Sequence, residues 1–243
     1  MNRALANIGN THTQTALLTA DGPGPVHCQP TAELLQGSLP PLLADNDTPV
    51  LAATVVPAAR EHIDAACTGV TWLHAGMDLG LDFSGVDTAS FGADRVANCL
   101  AAAAVHLPVI VVDCGTAITT EVVSADGRVL GGVILPGRAL ARRALHRGTA
   151  QLPEVPLAHT PPTVLGRDTQ AAIQAGVDTG LLGALTRILE DSRRALEGTP
   201  RVLVAGGDAA FFVDGLRAAG VEAAPPDLTL RGLAAAATQI KPP

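Results

Sequence analysis

The sequence contains no tyrosine, and aromatic residues make up only 2% of its 243 residues. Few rings are therefore available to stack on bases or sugars. Lys and Arg together number 16 against 23 Asp and Glu, and they form no dense basic cluster. Because binding to a nucleic-acid backbone depends on such clusters, we expect no nucleic-acid partner. No DNA-binding motif indicates a role in transcription, and chemistry on a small metabolite is the better interpretation.

Long hydrophobic runs and paired cysteine motifs are also missing. No uninterrupted run reaches the roughly 18 apolar residues that a membrane-spanning helix needs, so no membrane partner is expected. The first residues, MNRALANIGNTH, break into polar sequence too early for a signal peptide. The four cysteines are scattered without a CxxC pair, which is typical of buried, reduced thiols in a cytoplasmic protein. They are Cys28, Cys67, Cys99 and Cys114.

Aliphatic residues are abundant, and their spacing alternates along the chain between patterns typical of strands and patterns typical of helices. This order indicates an α/β fold. Strands are predicted at 3–8, 13–18, 49–56, 109–112, 118–123, 129–134 and 201–204. Helices are predicted at 31–43, 58–67, 138–146 and 168–197, and also from Asp94 and after Asp208.

The sequence also contains a weak internal repeat. The first strand runs into Asn7-Ile8-Gly9-Asn10-Thr11, and the strand after Pro108 runs into Asp113-Cys114-Gly115-Thr116-Ala117. Each of these segments precedes a second strand, as expected for a duplicated unit. A boundary near Leu107-Pro108 would divide the chain into two similar lobes, 1–107 and 108–243, that face each other across a cleft.

The glycine turns are the first candidate functional sites. Glycine lets the main chain approach a phosphate without a Cβ atom in the way, and neighbouring N–H and hydroxyl groups can bind the anion. Turns between strands also use Gly and Asn for conformational reasons alone. The repetition of the turn in both halves favours phosphate binding. A third turn, Gly206-Gly207, follows a buried strand where an adenosine could lie, although a tight strand-to-helix connection explains it equally well.

Three carboxylates are candidates for chemistry. Asp113 ends an aliphatic strand and is either a metal ligand or an acceptor of backbone N–H groups, while Glu121 on the next strand could support it. Asp94 begins a long helix in Gly92-Ala93-Asp94-Arg95. A first-turn or capping carboxylate that complements the helix dipole is the simpler interpretation. The alternative is a base for an acceptor hydroxyl, with Arg95 binding an anionic substrate group.

At this point the motifs resemble those of the type III pantothenate kinases, members of the actin, Hsp70 and sugar-kinase superfamily. The resemblance covers nearly the whole chain and keeps the order of the motifs. They are NIGNT at 7–11, ATVVP at 53–57, GADRVAN at 92–98, DCGTAIT at 113–119, GGVILPG at 131–137, TAQLP at 149–153, LGRDTQAAIQAG at 165–176, AGGDA at 205–209 and LTLRGL at 228–233.

This resemblance implies two similar actin-like, ribonuclease H-like lobes around an ATP cleft, and ATP-dependent phosphorylation of pantothenate to 4'-phosphopantothenate, the first step towards coenzyme A. It also implies a homodimer that requires Mg²⁺ and K⁺ or NH₄⁺. The implied catalytic base is Asp94, and the implied ligand of the monovalent cation is Asp113. The other implied site residues are Asn7, Gly9, Asn10, Thr11, Thr13, Gly115, Thr116, Gly206 and Gly207 for ATP, and Gly92, Ala93, Asp94, Arg95 and Thr169 for pantothenate.

Three departures from the family pattern bear on activity. Asn7 stands where the first loop of the family opens with an aspartate, and Mg²⁺ prefers charged oxygen ligands. Glu121 replaces an aspartate that usually ends the second loop. A tyrosine usually precedes GADR, and here only Phe83 or Phe91 could take its place. The alternatives are therefore a weak or silent homologue with a binding or regulatory role, and a kinase for another small hydroxyl compound.

Overall fold

The computed structural model describes residues 3–45, 47–158 and 165–240, and it divides the chain into two compact units. The first unit contains residues 1–107, 126–131 and 226–243, and the second contains 108–125 and 132–225. The sequence interpretation had instead assigned the whole stretch 108–243 to one lobe.

The first unit is a mixed sheet with helices packed on it. Its strands are β1 Ala4–Ile8, β2 His12–Thr19, β3 Gly22–Pro23, β4 His27–Pro30, β5 Val50–Thr54 and β6 Val70–Trp72. Its helices are α1 Thr31–Leu35, α2 Pro41–Ala44, α3 Pro57–Ala66 and α4 Ala93–Ala103. The sheet has the order β3-β2-β1-β5-β6, with β4 also paired to β2. β1 is antiparallel to β2 and parallel to β5, which is in turn parallel to β6.

The second unit repeats this strand order. Its elements are β7 Val109–Cys114, β8 Ala117–Val123, β10 Ile134–Pro136, α5 Arg138–Gly148, α6 Thr169–Arg194, β11 Arg201–Ala205, α7 Ala209–Gly215 and β12 Glu222–Ala223. β7 is antiparallel to β8 and parallel to β11, which is parallel to β12. The four residues Val109–Val112 are fully buried, as expected for a strand covered on both faces. The repeated arrangement confirms the two similar α/β lobes that the echoed motifs predicted.

The last helix of the chain, α8 Leu228–Gln239, explains why residues 226–243 belong to the first unit. It packs against α4 and β1, and it buries Leu230, Leu233 and Ala236. The approach to α4 is close enough that a Cβ atom on Gly232 would overlap the backbone of Ala97. Small residues on both helices therefore set their separation.

Three local predictions need correction. Two short helices replace the single helix predicted at 31–43, because Gly37 has a φ of +98° and the Pro40-Pro41 pair begins a new helix. The strand predicted at 129–134 is divided into β9 Val129–Gly131 and β10, with Gly131 at a φ of +114°. Of the four cysteines, which are all free thiols, Cys28 is exposed rather than buried because it lies on the edge strand β4.

Among the described residues, none of the helices combines the length and the apolar character needed to cross a membrane.

Candidate active site

The first glycine turn joins β1 to β2 and is tightly closed. The backbone N–H of Gly9 donates to the carbonyl of His12 at 3.0 Å, and the hydroxyl of Thr31 donates to the carbonyl of Gly9 at 2.7 Å. Thr13, a predicted ATP ligand, is fully buried, with its hydroxyl 3.1 Å from that of Thr31. Asn10 and Thr11 occupy the exposed tip. Because Gly9 uses its N–H within the turn, any backbone donors to a phosphate must come from the tip residues.

Asn7 lies at the end of β1, directly opposite Gln14 of β2. Its side-chain amide donates to the side-chain carbonyl of Gln14 at 3.3 Å. The amide is therefore held by a cross-strand partner, at the position where the family pattern has a carboxylate.

Asp94 lies in the first turn of α4 and is half-buried. Burial raises the pKa of its carboxyl, and this is only partly offset by the N–H and the charge of Arg95. Its Oδ1 accepts the backbone N–H of Arg95 at 2.7 Å, whereas the N-cap position belongs to Gly92 and no side chain caps the helix. Asp94 is therefore a carboxylate of the first turn, as the simpler interpretation of the sequence allowed, and not the N-cap residue itself. A partly desolvated carboxylate is what a general base requires.

An aromatic pair supports Arg95. The guanidinium carbon of Arg95 lies 4.3 Å from the centre of the Phe91 ring, and Phe83 contacts Phe91 edge-to-face with centroids 5.9 Å apart. Both phenylalanines are buried. Of the two aromatic residues considered from the sequence, Phe91 is thus the one in direct contact with the GADR segment.

Within the first unit, the turn after β1 and the start of α4 lie at the same edge of the sheet. Val55, which follows β5, donates its N–H to the carbonyl of Ile8 at 3.3 Å. A Cβ atom on Gly92 would lie 3.6 Å from Cγ1 of the same Val55. The candidate base and the first glycine turn are therefore neighbours on either side of Val55.

The second glycine turn joins β7 to β8 in the second unit. The N–H of Gly115 donates to the carbonyl of Ala117 at 3.0 Å, so that Thr116 forms the tip. Gly137, just before α5, donates to the carbonyl of Thr116 at 3.0 Å. A Cβ atom on Gly137 would overlap the carbonyl of Gly115, so only glycine allows this close packing.

The Gly206-Gly207 turn packs against the end of β7, where the second glycine turn begins. Gly206 has a φ of +93°, and a Cβ atom on it would lie 2.6 Å from Oδ1 of Asp113. The N–H of Asp208 donates to the carbonyl of Cys114 at 3.0 Å. The ends of the parallel strands β7 and β11 thus bring together Asp113, the second glycine turn and the Gly206-Gly207 turn.

Glu121, by contrast, is fully buried in β8 and lies opposite Val111, whereas Thr119 is the residue opposite Asp113. It is part of the sheet rather than of the turn.

The family profile described as type III pantothenate kinase matches residues 5–191. The chain belongs to this family. A type III pantothenate kinase of Rhodospirillum centenum is 39% identical over 194 residues, which cover 74% of this chain and 72% of that protein. The type III pantothenate kinase of Akkermansia muciniphila is 33% identical over 241 residues, which cover 98% of each chain.

A solved structure from Campylobacter jejuni, described as a Baf family transcriptional activator, has a TM-score of 0.66 at 19% identity. The match covers 97% of this chain and 98% of that one. At this identity the likeness shows the fold alone, which is the actin-like fold of the type III pantothenate kinases.

Thr169, the remaining residue that the family pattern assigns to pantothenate, is the first residue of α6. It is exposed and lies at the rim of an apolar cavity of about 570 Å³ between α5 and α6. The cavity is lined by Leu145, Leu152, Thr169, Ala172, Ile173, Gly176 and Val177. No residue of the glycine turns or of the GADR segment contributes to this lining.

The sequence reasoning missed a buried cluster of charges in the second unit. Arg138 and Arg142 of α5 both bind the carboxylate of Asp178 on α6, and all three side chains are almost completely inaccessible. Arg138 also binds Asp208 at 2.9 Å. The signal was an aspartate on the same face of α6 as the buried Leu181 and Leu185, which requires a buried cation nearby.

Proposed function

We propose that this protein transfers the γ-phosphate of ATP to the primary hydroxyl of pantothenate, giving 4'-phosphopantothenate and ADP, with Asp94 as the general base. The observation that carries the proposal is the partly buried Asp94 carboxylate of raised pKa, at the start of α4 and beside the first glycine turn. Membership of the type III pantothenate kinase family supports the substrate and the reaction.

In the proposed reaction, the Asp94 carboxylate accepts the hydroxyl proton as the hydroxyl oxygen attacks the γ-phosphorus. A new P–O bond forms, and the bond between the γ-phosphorus and the bridging oxygen breaks with its electrons leaving on ADP. Burial of Asp94 favours proton uptake, since it destabilises the charged carboxylate. Arg95, held against Phe91, would bind the carboxylate of pantothenate.

Each glycine turn would bind phosphate oxygens at its tip, through Asn10 and Thr11 in the first turn and through Thr116 in the second. Gly9 and Gly115 have no internal packing reason to be glycine, because a Cβ atom would meet only ordinary contacts at 3.4 and 3.6 Å. Neither has a positive φ. Close approach of a ligand to the main chain is the remaining physical reason for glycine at both positions.

A magnesium ion would be carried mainly by the nucleotide, because the first glycine turn offers the amide of Asn7 where a carboxylate is expected. Mg²⁺ usually binds through one or two carboxylates, phosphate oxygens and water. Among the described residues, no group of three or more His, Cys, Asp or Glu side chains is placed to hold a metal ion. When bound, Mg²⁺ would neutralise charge on the triphosphate. Asp113 is the proposed carboxylate for the monovalent cation, K⁺ or NH₄⁺, because it lies against the Gly206 turn at the ends of β7 and β11.

A homodimer formed along α6 is the proposed assembly. Gly176, Gly180 and Gly183 recur on this helix, and in each case the space where a Cβ atom would lie is open. The apolar cavity begins beside Gly176 and reaches Thr169, which would then serve an acceptor site near the subunit interface. Sedimentation measurements should show a dimer, converted to a monomer by Gly176→Glu but not by Gly148→Glu, whose position is equally open.

The cytoplasm is the proposed location, because ATP is the phosphate donor and all four cysteines are free thiols.

Two other functions are distinguished by one experiment. Asn7 favours a weak or silent homologue that binds nucleotide without turnover, and the altered loop before Gly92 favours another small hydroxyl substrate. ADP release should be measured with ATP, Mg²⁺ and K⁺, and with pantothenate, glycerol, pantetheine or a simple sugar as acceptor. Release that depends on pantothenate supports the proposal. ATP binding without release supports the silent homologue, and release with another acceptor supports the different kinase.

A further inference from the structure

One guanidinium group joins the buried cluster of the second unit to the Gly206-Gly207 turn. Arg138 donates through Nε and one terminal nitrogen to Asp178, both at 2.9 Å. Its other terminal nitrogen donates to the two carboxylate oxygens of Asp208, at 2.9 and 3.2 Å. Asp178 is completely buried, whereas the Asp208 side chain is 18% exposed. Arg138 therefore connects the interior with the surface of the turn.

The position of Arg138 is closely restrained. Its ring contact with Phe211 brings the guanidinium carbon 3.6 Å from the ring centre, and a further bond runs to the carbonyl of Ala158 at 2.7 Å. Arg142 binds both oxygens of Asp178 at 2.8 Å, so the carboxylate that orients Arg138 is itself fixed. Two arginines and two aspartates leave the cluster without net charge.

Both ends of this connection reach the candidate nucleotide site. Arg138 directly follows Gly137, which donates its N–H to Thr116 at the tip of the second glycine turn. Asp208 directly follows Gly207 and donates its N–H to Cys114, which precedes Gly115. The Arg138 guanidinium thus links the segment that donates to Thr116 with the segment that donates to Cys114.

We propose that Arg138 is a positioning residue for the nucleotide: it holds the Gly206-Gly207-Asp208 turn against the second glycine turn, and it neutralises Asp208 where the triphosphate adds negative charge. The proposal rests on the proposed function in placing ATP at these turns. Without Arg138 the turn loses its side-chain restraint, and the Asp208 carboxylate repels the phosphates. ATP affinity should fall, whereas pantothenate affinity should not.

The test compares Arg138→Met with Arg142→Met. Each variant removes one arginine from Asp178 and leaves the other, so both perturb the buried cluster, but only Arg138 contacts Asp208. Titration calorimetry should give a Kd for ATP about tenfold higher in Arg138→Met, which is typical for loss of a supporting residue, and a clearly smaller increase in Arg142→Met, which acts on Arg138 only through Asp178. The KM for ATP should rise in parallel, with the KM for pantothenate unchanged.

Two further variants keep the test decisive. Arg138→Lys retains the buried charge but cannot reach both aspartates with the same geometry, so its ATP affinity should be intermediate, and it serves where Arg138→Met does not fold. In an Asp208→Ala background, Arg138→Met should have a much smaller effect on ATP affinity, since the shared contact is already gone.

Equal ATP affinity in wild type and Arg138→Met, or equal losses in the Arg138 and Arg142 variants, would show a structural role only and overturn the proposal. A wild-type protein that binds ATP but does not phosphorylate pantothenate would overturn the proposed reaction while leaving this inference intact. A wild-type protein that binds no ATP would overturn both.

Discussion

A Cβ atom on Gly92 would lie 2.7 Å from Oδ1 of Asp94, so this glycine leaves room for the carboxylate of the candidate base. We expect Gly92→Ala to displace that carboxylate and to lower kcat by roughly 100-fold, the effect of a misplacement of about 1 Å. The unfolding free energy should change by less than about 1 kcal/mol, because the Gly92 backbone conformation is accessible to alanine. Steady-state kinetics and thermal unfolding measure the two effects.

Gly148→Ala is the matched control, since a Cβ atom there would meet nothing within 4 Å. Equal activity in the two alanine variants would show that the position of the Asp94 carboxylate is not important for turnover.

The raised pKa of Asp94 predicts opposite effects on activity and stability. Turnover requires the ionised base, so kcat/KM should fall on acidification through a pKa above the ordinary value of about 3.9. Asp94→Asn should lower kcat by at least about 100-fold. It should also raise Tm at neutral pH, because burial disfavours the charged carboxylate.

The sign of the stability effect follows from proton binding. Folded Asp94 binds a proton more tightly than unfolded Asp94, so its contribution to stability is present at low pH and is lost as pH rises through the folded pKa. The Tm advantage of Asp94→Asn should therefore shrink on acidification. A lower Tm for Asp94→Asn at neutral pH would contradict this account.

Replacing the amide of Asn7 should increase activity. Asn7→Asp puts a carboxylate beside the turn that we propose for the triphosphate, and the side-chain amide of Gln14 can rotate to donate to it. We expect kcat/KM for Mg²⁺-ATP to rise by roughly tenfold in enzyme assays. Gln14→Glu adds the same charge on the neighbouring strand and should give no increase. A gain in both variants would mean that charge alone, rather than its position, is responsible.

Phe91 should affect the acceptor rather than the nucleotide. A cation–π contact is worth about 0.5–2 kcal/mol, so Phe91→Leu should raise the KM for pantothenate by roughly 2- to 30-fold, with kcat and the KM for ATP nearly unchanged. Phe83→Leu also removes the contact between the two rings, but it leaves the Phe91 ring against Arg95. If the two variants have the same KM for pantothenate, Phe91 contributes only to packing.

The close packing of α4 and α8 predicts a large stability difference between two glycines. Gly232→Ala would push the helices apart, and it should lower the unfolding free energy by about 1–3 kcal/mol. Gly148→Ala lies in an open position at the end of α5 and should change stability by less than about 1 kcal/mol. Denaturant titrations of both variants measure the contrast, and a stabilised Gly232→Ala would contradict the observed packing.

Local sequence patterns predicted most of the elements that carry the site. Glycines and changes in hydrophobic period mark the ends of β1 and β7 and the start of α4. These are local signals, which a sequence pattern records directly. The repeated turn motif predicted the two similar lobes for the same reason.

Features that depend on distant partners could not be predicted. Arg138, Asp178 and Asp208 are far apart in sequence, and only the packing of α5, α6 and α7 makes them neighbours. The sequence placed Asp94 in the first turn of a helix, as observed, but helix propensity says nothing about the burial that raises its pKa. Likewise, α8 joins the first unit through contacts that no local pattern records.

The most direct test of the proposed function is transfer of labelled γ-phosphate from ATP to pantothenate, with the product identified by mass spectrometry. The wild-type protein with Mg²⁺ and K⁺ should form 4'-phosphopantothenate, and Asp94→Asn should bind ATP with unchanged affinity but form almost no product. Absence of product with the wild type, or equal product formation by Asp94→Asn, would contradict the account.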